Sequence, residues 1–142
     1  MIAVDTNILV YAHRADSTFH ARASACVRAW AEAGEAWAIP WPCIHEFLAI
    51  VTNPRIFKIP TPLSAAMAQV EAWRASPSLR LLAEDDDYWP TLAKLLASSN
   101  VVGAKIHDAR IAALVLHHGA RELLSADRDF SRMAPLVVRN PL

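Results

Sequence analysis

The first five residues, Met1-Ile2-Ala3-Val4-Asp5, form a short apolar run that ends in a carboxylate. Near the other end of the chain, Glu122-Leu123-Leu124-Ser125 leads into Ala126-Asp127 in the same way. Short apolar runs bounded by turn residues are typical of strands that are buried on both faces. We therefore predict strands at residues 1–4 and 122–125, each followed by an aspartate.

Other stretches alternate between strand and helix patterns. The composition predicts strands at 36–39, where Pro40 and Pro42 follow, at 79–82, and at the sheet edge at 136–138. Apolar spacing and terminal residues predict helices at 20–33, 42–53, 62–75, 88–98 and 106–118. Thr61 and Asp87 are the expected N-caps of the third and fourth helices. Alternating apolar strands and helices indicate an α/β fold with a parallel sheet covered on both faces.

Composition excludes several classes of protein. The chain has 142 residues, of which 54% are hydrophobic, so it resembles a single folded domain and not a disordered tail. Its 14 basic and 14 acidic residues give a net charge of zero, which argues against a strongly basic nucleic-acid coat. No apolar run approaches the ~20 residues of a membrane span, and the N-terminus lacks a signal-peptide profile, so we expect a cytoplasmic protein. Cys26 and Cys43 are expected as small buried side chains.

Three aspartates are candidates for a shared site. Asp5 and Asp127 each follow a predicted strand, and the carboxyl ends of parallel strands form the edge where ligands bind. Aspartate is also common in turns, so each residue alone is open to that explanation. Asp108 lies in the first turn of an apolar helix, on the same face as Ile111 and Val115. It is either capped by backbone amides or directed at the edge of the sheet.

Glu46 is a fourth candidate. It lies roughly opposite the apolar stripe of its helix, which by periodicity alone predicts a solvent-exposed glutamate. Its position just after a strand and a proline turn makes it a site candidate. Four carboxylates that meet cannot all stay ionised without a cation or large pKa shifts. Oxygen ligands favour Mg²⁺ or Mn²⁺, and such a site activates water to attack a phosphodiester.

Four ordered blocks of sequence resemble the PIN-domain family, and most closely its VapC-type toxins. The blocks are Asp5-Thr6-Asn7-Ile8-Leu9-Val10-Tyr11, Ile44-His45-Glu46-Phe47, Val102-Gly103-Ala104-Lys105-Ile106-His107-Asp108-Ala109 and Ser125-Ala126-Asp127-Arg128-Asp129-Phe130. The last block usually begins with Thr, and Ser125 keeps the hydroxyl. The resemblance covers nearly the whole chain and implies one PIN-like domain over residues 1–142, a three-layer sandwich with a mainly parallel central sheet flanked by helices.

The resemblance also implies an activity and partners. It implies a Mg²⁺- or Mn²⁺-dependent endoribonuclease, often directed at tRNA or rRNA, that a VapB-type antitoxin neutralises and that forms a homodimer. By position, Asp5, Asp108 and Asp127 would be metal ligands, and Glu46 would be a ligand or would position water. Asn7 and Ser125 would orient those carboxylates. Asp129 is either a further ligand or the N-cap of a helix over 130–133.

Basic residues flank the proposed blocks and are candidates for holding the RNA backbone. Lys105, Arg110 and Arg128 are the nearest in sequence, although each alone is also typical of an ordinary solvated surface. Histidines offer no pair at i, i+4 spacing, which argues against a zinc site. His117 and His118 are expected at a helix end, and the acidic run 84–87 is expected to be solvated.

Two other functions remain open from the sequence. One is a phosphohydrolase with Asp5 as nucleophile, although a haloacid-dehalogenase-like enzyme would have a second aspartate where Asn7 stands. The other is a non-catalytic module whose acidic pocket binds an arginine-rich partner.

Overall fold

A parallel five-stranded sheet forms the centre of the molecule in the computed structural model, which describes residues 1–142. The strands are β1 (Ile2–Val4), β2 (Trp37–Pro40), β3 (Leu79–Leu82), β4 (Glu122–Leu124) and β5 (Val138–Arg139). Their order is β3-β2-β1-β4-β5, and every neighbouring pair is parallel. All residues of β1 and β2 are buried, and because successive side chains point to opposite faces, both faces are covered. The predicted α/β sandwich is therefore confirmed.

Six α-helices surround the sheet. They are α1 (Thr6–His13), α2 (His20–Glu32), α3 (Trp41–Val51), α4 (Leu63–Arg74), α5 (Tyr88–Ser99) and α6 (Lys105–His117). Helix α1 packs against α2 and α3, α3 packs against α4, and α5 packs against α6. The five predicted helices and five predicted strands are all present, with ends within about two residues of those expected. None of the helices combines the length and the apolar composition needed to cross a membrane.

The sequence patterns did not predict α1. Its run of Ile8, Leu9 and Val10 has the composition of a strand, yet all three are buried in a helix. Asp5 starts this helix, because its carboxylate accepts a hydrogen bond from the backbone N–H of Thr6 at 2.8 Å. Tertiary burial and the cap therefore outweigh the intrinsic preference of the segment for extended structure.

One smaller expectation was wrong, and two were met only in part. Thr61 is not the N-cap of α4, which begins after Pro62; its hydroxyl instead contacts His13 and Arg14. Asp87 does precede α5, but its side chain makes no capping hydrogen bond. Cys43 is buried as expected, whereas Cys26 is only half-buried.

The core places α3 firmly against its neighbours. Phe47 is fully buried and contacts Trp73 of α4, with ring centroids 4.8 Å apart, and His13 at the end of α1. This edge-on aromatic packing fixes the rotation of α3 about its axis. The adjacent residue, Glu46, is thereby directed toward the carboxyl end of β1.

Truncating this aromatic anchor should be strongly destabilising. We expect Phe47→Ala to lower the free energy of unfolding by about 3–5 kcal/mol, because it removes a buried ring and leaves a cavity. Urea unfolding at neutral pH measures the change. Trp89→Ala is the matched control: Trp89 is 64% exposed, and its loss should change the free energy by no more than about 0.5 kcal/mol. Equal effects of the two substitutions would contradict this account of the core.

Candidate functional site

Asp5 lies at the carboxyl end of the central strand, with only 4% of its surface exposed. One carboxylate oxygen accepts the backbone N–H of Thr6, and the other accepts the Ser125 hydroxyl at 2.7 Å and the Asn7 side-chain amide at 3.1 Å. The β1–β4 pairing brings Ser125 here, since the Asp5 N–H continues that ladder to the carbonyl of Leu124. Both oxygens of Asp5 are thus held in fixed positions.

Asn7 and Ser125 link Asp5 to the loop after β4. The Asn7 amide donates to the Ser125 hydroxyl at 3.2 Å, and its carbonyl oxygen accepts the backbone N–H of Ala126. The Ser125 hydroxyl oxygen also accepts the N–H of Asp127 at 3.0 Å. These bonds fix where the loop leaves the strand. They give Asn7 and Ser125 the geometry of residues that orient carboxylates.

Glu46 joins this group from α3. The Thr6 hydroxyl donates to its carboxylate at 2.8 Å, and the side chain is half-buried. The solvent-exposed position that helical periodicity predicts is therefore wrong. The apolar stripe of α3 shows which face enters the core, but it contains no information about the α1 residue that meets the opposite face.

Asp108, Asp127 and Asp129 form a compact cluster of carboxylates. One oxygen from each lies within 4.8 Å of the others. Asp108 lies in the first turn of α6 and makes no capping hydrogen bond, so the explanation that backbone amides satisfy it is not supported. Asp127, not Asp129, caps the following 3₁₀ helix (Arg128–Arg132), because it accepts the Asp129 N–H at 2.8 Å. The expected capping role of Asp129 is therefore wrong.

A cavity of about 160 Å³ connects the two groups of acids. Six polar side chains line it, namely Thr6, Asn7 and four predicted acids, together with the apolar residues Ile50, Ile111 and Phe130. The predicted acids in the wall are Asp5, Glu46, Asp108 and Asp127. The structure thus brings all four together at the carboxyl edge of the sheet. Their ligand atoms are all oxygens, a donor set suited to a hard divalent cation.

Burial and nearby negative charge raise the pKa values of two carboxyl groups in the cavity. Burial, assisted by the charges of Glu46 and Asp127, raises the pKa of Asp5 to about 6 despite its hydrogen bonds from Ser125 and Thr6. Burial and the charge of Asp127 also raise the pKa of Asp108. Cavities in which several carboxyl groups resist ionisation are typical of sites that bind a cation or handle protons.

Two side chains at the site were not singled out in the sequence. Thr6 is buried and holds Glu46, and Cys43 is buried with its sulfur 3.7 Å from an Asp5 oxygen. Burial, together with the charge of Asp5, raises the pKa of the Cys43 thiol well above its ordinary value, so it stays protonated. Thr6 lies within the first sequence block and Cys43 directly precedes the second, but only the packing of α1 on α3 shows their contacts.

Lys105 and Arg110, which flank Asp108 in α6, and Arg128, which follows Asp127, are called the basic rim, and the three differ in their ion pairs. Lys105 is paired with Asp129, which raises the pKa of the lysine and lowers that of the aspartate. Arg110 is paired with Glu84, from the segment after β3. Arg128 is exposed in the 3₁₀ helix. Two of the three cations are thus tethered beside the acidic cavity by carboxylates.

The pKa of Asp5 predicts a specific dependence of stability on pH. Between its ordinary pKa of 3.8 and about 6, the folded chain keeps a proton that the unfolded chain has released. The free energy of unfolding of the parent should therefore fall, by about 3 kcal/mol, as the pH rises through this window, relative to Asp5→Asn. Urea unfolding of both proteins in chelator, from about pH 4 to about pH 7, measures the difference. A difference that does not vary with pH would contradict the burial penalty on Asp5.

Comparisons with known proteins agree on one family. A model of the PIN domain matches residues 2–136. Ribonuclease VapC43 of Mycobacterium tuberculosis is 37% identical over 142 residues, which span 100% of this chain and 96% of the relative. Ribonuclease VapC31 of the same species is 36% identical, with both chains covered completely.

Solved structures show the same fold. The crystal structure of M. tuberculosis VapC20, described as a toxin that cleaves the sarcin–ricin loop, has a TM-score of 0.70 at 22% identity and covers 99% of this chain and all of its own. VapBC2 from Rickettsia felis, crystallised with a promoter DNA fragment, has a TM-score of 0.71 at 18% identity, with 99% and 98% covered. With a family model across almost the entire chain and full-length relatives above one-third identity, this chain belongs to the PIN-domain family and, within it, to the VapC ribonucleases.

Proposed function

We propose that this protein is a divalent-metal-dependent endoribonuclease and the toxin of a VapB–VapC pair. One observation carries the proposal: four acids from distant segments, Asp5, Glu46, Asp108 and Asp127, line one cavity in a chain that shares full-length identity with VapC ribonucleases. We further propose that residues 1–142 act as one PIN-like domain in the cytoplasm.

Asp5, Asp108 and Asp127 are the proposed ligands of Mg²⁺ or Mn²⁺, with Asp129 as a further ligand. Asp108, Asp127 and Asp129 supply oxygen atoms within 4.8 Å of one another, and Asp5 lines the same cavity. These oxygen donors, with no soft donor in the cluster, fit such an ion. When bound, the ion supplies positive charge for the scissile phosphate and lowers the pKa of a water molecule.

The other residues of the cavity hold the reacting groups in place. Glu46, fixed by the Thr6 hydroxyl, is positioned to accept a proton from a water molecule or to orient it. Asn7 and Ser125 prevent the Asp5 carboxylate from rotating, because both donate to the same oxygen. Hydrolysis by activated water leaves a 5′-phosphate and a 3′-hydroxyl, by analogy with related metal-dependent nucleases.

The basic rim is the proposed contact for the RNA backbone. Lys105, Arg110 and Arg128 can hold phosphate groups beside an acidic cavity that would otherwise repel them. We propose tRNA or rRNA as the substrate class. The similarity to VapBC2 of R. felis and to a toxin–antitoxin complex from Klebsiella pneumoniae supports a VapB-type antitoxin as partner. A homodimer is the proposed assembly.

The alternatives have weaker support. A nucleophilic Asp5 would need a free oxygen directed at the substrate, but both of its oxygens accept hydrogen bonds and the residue is buried. A non-catalytic acidic pocket would not require Glu46 to be held by Thr6 at the cavity wall. Identity with named ribonucleases over the whole chain favours the nuclease.

Removing one cluster carboxylate should abolish cleavage but leave the fold intact. We expect Asp108→Asn to lower the rate of RNA cleavage at least about 100-fold. Loss of a residue that only orients a metal ligand already lowers activity about 10- to 100-fold. Asp86→Asn, which removes an exposed acid outside the cavity, is the matched control and should cleave at the parental rate. Undiminished cleavage by a purified, folded Asp108→Asn protein would overturn the assignment.

Removing the metal ion with a chelator and then adding Mg²⁺ or Mn²⁺ tests whether cleavage depends on it. Chelation should stop cleavage, and Mg²⁺ or Mn²⁺ should restore it, because oxygen ligands favour hard cations. Calorimetric titration of Mn²⁺ should show binding to the parent and weaker binding to Asp127→Asn. Cleavage that persists after thorough chelation would rule out metal-dependent hydrolysis.

A further inference from the structure

A second group of metal-binding side chains lies away from the acidic cavity. Asp85, His117 and His118 each place one ligand atom within 4.8 Å of the others. Asp85 belongs to the segment between β3 and α5, while the histidines end α6. Helix α6 carries Asp108 in its first turn and His117 in its last, so its rise separates the two groups by about 14 Å. The proposed nuclease site does not use any of these three residues.

His117 and Asp85 are already oriented toward each other. Nε2 of His117 lies 2.8 and 2.9 Å from the two Asp85 oxygens. The imidazole is only 15% exposed and packs edge-on against Tyr88, so its rotation is restricted. The backbone N–H of Asp87 donates to Asp85 at 3.0 Å and fixes the carboxylate. A metal ion would take the place of the shared proton between these two side chains.

His118 completes the group with a second imidazole. Its Nε2 lies 2.8 Å from the carbonyl oxygen of Ala83. Because a carbonyl only accepts, this nitrogen carries a proton and Nδ1 keeps the free lone pair. A backbone carbonyl that selects one tautomer is a common partner of histidines that bind metals. The two histidine rings lie 5.0 Å apart and nearly perpendicular to each other.

We propose that Asp85, His117 and His118 bind a borderline transition-metal ion such as Zn²⁺. Two imidazoles and one carboxylate, with an open side toward solvent, are ligands that zinc favours and that magnesium does not. The ion would link the segment 83–87 to the end of α6 and so stabilise the folded chain. The same segment carries Glu84, which tethers Arg110 at the rim of the acidic cavity.

The competing explanation is an ion pair without metal. In that case the His117 Nε2–H donates directly to the Asp85 carboxylate, and the pair needs no ion. That explanation accounts for the contact between His117 and Asp85, but it does not require His118 to lie beside them. Substitution of His118 therefore separates the two explanations and leaves the Asp85–His117 contact in place.

The experiment measures Zn²⁺ binding by chelator-treated protein in an Asp108→Asn background, which removes a carboxylate of the acidic cavity. Competition with a chromophoric chelator should give one Zn²⁺ per chain with a Kd below about 10 µM. His118→Ala should weaken binding by about 10-fold or more and abolish the rise in Tm that Zn²⁺ causes. An excess of Mg²⁺ should not displace the zinc.

Matched controls make the result specific. His107→Ala removes an exposed imidazole from the first turn of the same helix and should leave Zn²⁺ binding unchanged. Asp85→Asn should weaken binding, whereas Asp86→Asn should not. Zinc affinity that is the same in His118→Ala, Asp85→Asn and the controls would overturn the proposal, as would the absence of binding in the Asp108→Asn background. Neither outcome bears on the nuclease, which is tested through the acidic cavity.

Discussion

The structure depends on a carboxylate buried at the end of its central strand. Asp5 has 4% of its surface exposed, and an unpaired buried charge is among the most costly groups in a protein. Three nitrogen and oxygen donors offset this cost, the Thr6 N–H, the Asn7 amide and the Ser125 hydroxyl, beside the weaker Cys43 thiol. Two of them belong to the helix that Asp5 itself starts, and the third belongs to the loop after β4. One side chain thus joins strand, helix and neighbouring loop.

These hydrogen bonds offset only part of the cost of ionising the buried Asp5 carboxyl group. The pKa of Asp5 remains raised, because burial and nearby carboxylates oppose its ionisation more strongly than hydrogen bonds favour it. Burial and the charge of Asp127 likewise raise the pKa of Asp108. At the rim, by contrast, Asp129 is neutralised by Lys105 and Glu84 by Arg110. Asp129 and Glu84 therefore each have a cation of the protein beside them, whereas Asp5 and Asp108 form no salt bridge.

The sequence predicted those parts of the structure that depend on local pattern. Apolar runs ending in aspartate located β1, β4 and the edge where Asp5 and Asp127 meet, since parallel strands place their carboxyl ends together. Local pattern failed where a contact joins distant segments. Helical periodicity cannot show that Thr6 faces Glu46, and spacing rules for histidine pairs cannot show that Asp85, 32 residues earlier, meets His117. Helix α1 was missed because burial overrode its strand-like composition.

The hydrogen bond between Ser125 and Asp5 spans 120 residues of sequence, and β1 has β4 as one of its two neighbours. During translation the first aspartate leaves the ribosome long before the strand that completes its surroundings has been synthesised. Contacts of such long range form late, because closing the intervening loop must come first. A nascent or prematurely terminated chain that lacks β4 holds no assembled acidic cavity. The order of elements along the gene thus delays the appearance of the proposed toxic activity until nearly the whole polypeptide exists.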